Sequence, residues 1–261
     1  MLMNNHCFHL VSCSPWPILI SLNFVNVGFS LIFLLLHHSC FFFFFFFFIL
    51  VLICIQWWRD IIREGLYLGS HLLVVSSGLS MGIIFFIVSE FFFFVSFFWM
   101  YFYYSLSPDM SLGLFWPPQG VGAVNYMDLP FLNTLVLLSS GFFITWSHYG
   151  LFVGDYNLLK ISYLFCIFMG FYFFVIQMYE YHELFFDFSD GVFGCSFFIL
   201  TGFHGFHVLL GLIFLSFNFY RFYCNNFSFL SFYGFEYSIW YWHFVDLIWL
   251  FLYVFLYWWG M

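Results

Sequence analysis

Glu90 stands in the run Phe85–Phe86–Ile87–Val88–Ser89–Glu90–Phe91–Phe92–Phe93–Phe94. On a helix its face neighbours are Phe86, Ile87, Phe93 and Phe94, and none of them can pair with a carboxyl. A charged acid at the centre of a bilayer costs roughly 2.5–3.5 kcal/mol on insertion scales. Glu90 is therefore expected to sit uncharged and to face other helices. It would serve there either as a proton site or as a hydrogen-bonded packing group.

Thr201, His204, His207, His243 and Asp246 form a second set of polar residues in apolar surroundings. His204 and His207 are three apart, as are His243 and Asp246, so the acid could orient the imidazole. Imidazole suits haem iron and copper. The paired E-x-x-H ligands of a di-iron bundle are missing, and an interhelical polar network without a metal is the plainer expectation. Gly202, Gly205 and Gly211 would let helices approach closely there.

A third pattern is Gln56–Trp57–Trp58–Arg59–Asp60–Ile61–Ile62–Arg63–Glu64–Gly65. Arg59 and Arg63 are four apart and point one way, with Asp60 and Glu64 as an adjacent acidic stripe. A guanidinium pair suits a lipid phosphate and the acids suit an amine headgroup. The alternative is an ordinary interfacial helix end.

The elements that must hold these groups are membrane spans. Of 261 residues, 65% are hydrophobic and only 6% charged, where a soluble domain carries about a quarter. So few charges cannot cover a water-facing surface, which excludes a soluble globular protein, a disordered tail and a nucleic-acid binder. Apolar segments fall at 16–36, 40–63, 79–104, 129–152, 158–181, 192–223 and 235–258. Each can cross a bilayer as a helix, and none alternates as a barrel strand would. The fold class is all-α, a polytopic bundle of seven transmembrane helices. The short link His37–His38–Ser39 makes the first two an antiparallel pair. The chain divides into 1–65 with helices one and two, a glycine- and serine-containing link at 66–78, and a five-helix body at 79–261. No internal repeat marks an inverted-repeat transporter.

The first basic residue is Arg59, so neither a secretory n-region nor an arginine-rich transit peptide is present. Insertion from the compartment that makes the protein is expected, which suits a bacterium or an organelle genome. Cys7, Cys13, Cys40, Cys54, Cys166, Cys195 and Cys224 contain no C-x-x-C pair and read as apolar fillers. Phe41–Phe48, eight phenylalanines in a row, reads as T-rich coding bias that lipid tolerates. Arg59, Arg63, Lys160 and Arg221 all fall on the side of the N-terminus, while Asp109, Asp128, Glu183, Asp187 and Asp190 fall opposite. The positive-inside rule then puts the N-terminus inside.

Several of these strings together resemble the cytochrome c oxidase subunit III family. They are Ser14–Pro15–Trp16–Pro17, Gln56–Trp57–Trp58–Arg59–Asp60 with Arg63–Glu64, Ser89–Glu90 followed by Phe97–Phe98–Trp99, and Trp116–Pro117–Pro118. They continue with Pro130–Phe131–Leu132–Asn133–Thr134, Ile144–Thr145–Trp146, Ser189–Asp190–Gly191 and Thr201–Gly202–Phe203–His204–Gly205. Trp240–Tyr241–Trp242–His243–Phe244–Val245–Asp246 and Tyr257–Trp258–Trp259–Gly260 close the match, which spans the chain in order. The resemblance implies a V-shaped arrangement of two helices against five, with phospholipids in the cleft. It implies a non-redox subunit of respiratory complex IV in the mitochondrial inner membrane, N-terminus in the matrix. Such a subunit stabilises the catalytic core and supports proton uptake as the complex, a proton-translocating oxidoreductase, reduces oxygen with electrons from cytochrome c. The implied partners are subunits I and II, other complex IV subunits and phospholipids, with haem a and copper in the partner subunits. No cofactor or metal is expected in this subunit. Glu90 carries over as the buried acid, and Trp58, Arg59, Arg63, Glu64, His71 and Arg221 as lipid-binding residues. Ser70–His71 stands where the family often has paired histidines, and Tyr103, Tyr149 and Phe232–Tyr233 replace others. The competing functions are an independent proton-coupled transporter using Glu90 and Asp246 and a haem-binding cytochrome using His204 and His243.

Overall fold

Inside a bilayer a backbone must satisfy its own N–H and C=O groups, and a continuous apolar run does so as a helix. The computed structural model describes residues 8–11, 13–110, 113–122, 124–224, 226–227 and 232–260. Among the described residues there are seven long helices and no strand. They are α1 (Trp16–His37), α2 (Phe41–Leu66), α3 (Leu73–Leu106), α4 (Leu129–Val153), α5 (Tyr156–Glu183), α6 (Gly191–Tyr223) and α7 (Tyr233–Leu252). The last turns of α7 widen into a π-helix, Tyr253–Trp258. All seven are long and apolar enough to cross a membrane, so the expected all-α fold is the one observed. The spans differ from expectation most at α3. Its helix already begins at Leu73, inside the link expected at 66–78. Leu73, Val74 and Val75 extend the apolar run, and one helical Gly78 costs only about 1 kcal/mol.

The chain separates into two compact units that divide between Leu79 and Ser80. In the first, α1 and α2 pack on each other. His38, in the left-handed conformation at φ 52°, turns the chain and donates its N–H to Leu34 O. Buried Asn23 donates Nδ2 to Phe46 O at 3.0 Å, a polar tie between the two helices. No residue of α2 is buried. The phenylalanine run stacks on itself through Phe41–Phe45 and Phe43–Phe47, as a lipid-facing filler would.

In the second unit the α4–α5 hairpin is close-set. Gly154 (φ 79°) ends α4, and the Asp155 carboxylate caps α5 by accepting from the N–H groups of Asn157 and Leu158. Ser147 Oγ donates to Leu159 O at 3.1 Å across this pair. The core centres on Trp242, Trp249, Tyr163, Phe173 and Tyr257, all essentially inaccessible. Trp242 Nε1 donates to Ser140 Oγ at 2.9 Å, and its ring lies over Gly170 of α5 and Gly211 of α6. Of the three glycines expected to permit close approach, only Gly211 does so. Added side chains at Gly202 and Gly205 would meet open space. Gly170 of α5 supplies the close approach together with Gly211. Cys13, Cys40, Cys54, Cys166, Cys195 and Cys224 are free thiols, with Cys166 buried in the core; Cys7 lies outside the described residues.

Candidate functional site

Helix α3 carries Glu90 to α6, where its Oε2 lies 2.9 Å from His207 Nε2. The histidine is buried, and the Glu90 side chain keeps a quarter of its surface exposed. Phe93 and Phe94 pack against the imidazole. His207 Nδ1 lies 2.7 Å from Phe203 O. A carbonyl only accepts, so Nδ1 carries a proton. The bond to Glu90 is then either the acid O–H donating to neutral Nε2 or an imidazolium N–H donating to a carboxylate. In both forms the pair is neutral overall and holds one proton between oxygen and nitrogen. An apolar site tolerates such a pair, whereas a lone carboxylate would be costly there.

Among the described residues, no hydrogen bond joins Thr201, His204, His243 and Asp246 to one another. Thr201 Oγ1 donates to Phe197 O at 2.7 Å and accepts from the Tyr181 hydroxyl at 2.7 Å. His204 makes no hydrogen bond at either ring nitrogen and is wedged between Phe173 and Trp249. Asp246 and His243 lie over Gly141 of α4, and Asp246 Oδ1 has no partner. The acid therefore does not orient the imidazole through Oδ1. Spacing of three puts residues on one face of a helix, but the opposing helix decides their partners. Among the described residues no three His, Cys, Asp or Glu side chains gather as metal ligands.

The first unit holds a cavity of about 920 Å³ at the end of α2. Arg63, Asp60, Glu64, Trp16, His9 and His71 contribute its polar lining. His9 and Trp16, the latter the first residue of α1, are tied to this end of α2. Trp16 Nε1 donates to Asp60 Oδ2 at 2.7 Å, and His9 Nε2 lies 3.0 Å from Glu64 Oε2. His71 folds back over Gly65, where a Cβ would come within 2.9 Å of its Nδ1. Burial and the neighbouring His9 push the His71 imidazole below the ordinary histidine range, against the opposing pull of Glu64. Of the expected lipid-binding residues, the cavity gathers Arg63, Glu64 and His71. Trp58 and Arg59 are not in its wall, and Arg59 instead pairs with Asp60 at 3.1 Å. Arg221, in the second unit, lies over the Phe227 ring and donates to Asn218. His9 and Trp16 were missed because nothing local in the sequence links them to residues more than 40 positions away.

Comparison with known proteins decides the family. The sequence profile described as cytochrome c oxidase subunit III matches residues 6–261. The chain belongs to the cytochrome c oxidase subunit III family. It is 46% identical over 256 residues to cytochrome c oxidase subunit 3 of Anopheles gambiae, covering 98% of each chain. It is 44% identical over 260 residues to that of Tragelaphus oryx, covering all of both. It is also 44% identical over 257 residues to that of Drosophila melanogaster, covering 98% of each. As a subunit III of cytochrome c oxidase, the chain is a multi-pass membrane component of a respiratory oxidase complex and assembles with other oxidase subunits.

Proposed function

We propose that this subunit III is a non-redox component of complex IV in the mitochondrial inner membrane. It steadies the catalytic core of subunits I and II, holds phospholipid, and supports proton uptake as oxygen is reduced with electrons from cytochrome c. Haem a and copper sit in those partner subunits. The observation that carries this reading is the cavity at the end of α2, where one exposed arginine stands among Asp60, Glu64 and His71. That mixture of charges suits a phosphate with an attached amine at headgroup depth. The apolar wall of Ile61, Val75 and Leu79 suits the start of an acyl chain. A charge-assisted arginine–phosphate contact contributes roughly 1.5–3 kcal/mol where water is excluded. Arg63→Ala is expected to lower the phospholipid retained by the purified complex while the subunit still assembles. Unchanged lipid content would reduce Arg63 to a plain interfacial arginine.

The proton part of the proposal is supported by the Glu90–His207 pair, which places an acid and a base in contact within spans. The orientation part is supported by the charges. Lys160, early in α5, lies over the Tyr223 ring at the end of α6, so these basic ends share a side. With the N-terminus in the matrix, Lys160 should resist protease added from the intermembrane side of intact mitoplasts. Cleavage there would overturn this orientation.

A further inference from the structure

Glu180, in the last turns of α5, is 1% exposed, and neither of its carboxyl oxygens has a hydrogen-bond partner. Its surroundings repeat the pattern. Asn133 of α4 donates Nδ2 to Gln177 Oε1 at 3.4 Å, which leaves Asn133 Oδ1 and Gln177 Nε2 unpartnered. The Tyr257 hydroxyl, from the π-helical end of α7, stands beside both Glu180 and Gln177 but outside hydrogen-bond geometry. All four side chains are at most 1% exposed. Buried polar groups in folded proteins are almost always partnered by protein or by ordered water. This group contains donors and acceptors that face one another too loosely to pair. A ligand that satisfies them together must both donate and accept, as water does.

An outlet lies against this cluster. A pocket of about 290 Å³ is lined by Glu180 together with Asn125, Asp128 and Glu183, and among the described residues by no lysine or arginine. We propose that Glu180, Tyr257, Gln177 and Asn133 form an internal hydration site, connected to this acidic pocket, at which Glu180 exchanges its proton with water. Glu180 is carried as a neutral acid, since a buried carboxylate without a cation or hydrogen bond would be costly. The titratable groups around it are Tyr257 from α7, Tyr181 on its own helix and engaged with Thr201, and Asp128 and Glu183 at the pocket. No cation faces it among these. The proton leaves from the Glu180 carboxyl to a water oxygen and returns by the same route, so no other reactant is needed. The site is separate from Glu90 and His207, which lie on α3 and α6 and are bonded to each other.

The test is infrared spectroscopy of the intact oxidase in H₂O and D₂O, wild type against Glu180→Gln. The expected difference is one C=O stretch of a protonated carboxyl, lost in the variant and shifted to lower frequency soon after transfer to D₂O. Tyr257→Phe should keep the band but move it and slow its exchange. It provides the same reading if Glu180→Gln fails to assemble. Absence of the band would mean that Glu180 is ionised, and a band that stays put in D₂O would mean a dry site. Either result overturns the proposal, as does a Tyr257→Phe spectrum and exchange rate identical to wild type.

Discussion

A lipid-soluble carbodiimide added to the intact oxidase is expected to modify Glu90 ahead of every loop acid, and Glu90→Gln to remove most of the label from this subunit. Carbodiimides attack a protonated carboxyl, and apolar reagents concentrate in the membrane. Glu90 is placed for both: the carboxyl bears the proton in one of the two forms of its contact with His207, and a quarter of its side chain is exposed among phenylalanines. Asp187 and Asp190 lie in the α5–α6 link, where the Asp190 carboxylate accepts from the Asp187 N–H at 2.7 Å. Peptide mass spectrometry gives the readout. In His207→Leu the acid loses the base that could take its proton, so labelling should persist or rise. Preferential labelling of Asp187 or Asp190, or loss of label in His207→Leu, would contradict the neutral shared-proton pair. Glu90→Gln should leave assembly intact, because the amide has the size of the acid.

A large loss of stability is expected when a side chain is added at Gly170. A Cβ there would lie 2.5 Å from Trp242 Cη2 and 2.7 Å from Leu212 Cδ2. The leucine end can swing away, but the indole is fully buried and held by its hydrogen bond to Ser140. Overpacking a well-filled core costs typically about 1–3 kcal/mol and sometimes more. Gly170→Val is therefore expected to lower subunit accumulation and the thermal stability of the complex. Gly202→Val, on α6 with open space around it, should change neither appreciably. Equal behaviour of the two variants would mean that the Trp242 contact does not order these helices.

The spans were legible because a bilayer leaves an apolar run one way to satisfy its backbone. The start of α3 was less so, since the glycines and serines of 66–78 carry a turn signal that the apolar residues after Leu73 outweigh. Glu90 was found because a carboxyl among phenylalanines is conspicuous. Its partner was not, because His207 lies 117 residues away on another helix. His204 shows the converse. A histidine in a span reads as polar, yet its ring is used here as an aromatic surface against Trp249 and Phe173. Glu180 carries no such signal, because the groups that enclose it, Tyr257 and Asn133, come from distant parts of the chain. Arg63 and Glu64 were legible from spacing along α2. The cavity they line also needed His9 from before α1 and Trp16 at its start, which no local pattern connects to them.

The central claim is that this subunit supports proton uptake and the catalytic core without carrying a redox centre. The direct measurement is to strip the subunit from the purified complex and determine haem, copper and proton uptake per remaining catalytic core. The account predicts unchanged haem and copper, slower proton uptake during turnover, and recovery when the subunit is added back with phospholipid. Loss of a haem or copper with the subunit, or proton uptake indifferent to its removal, would contradict it.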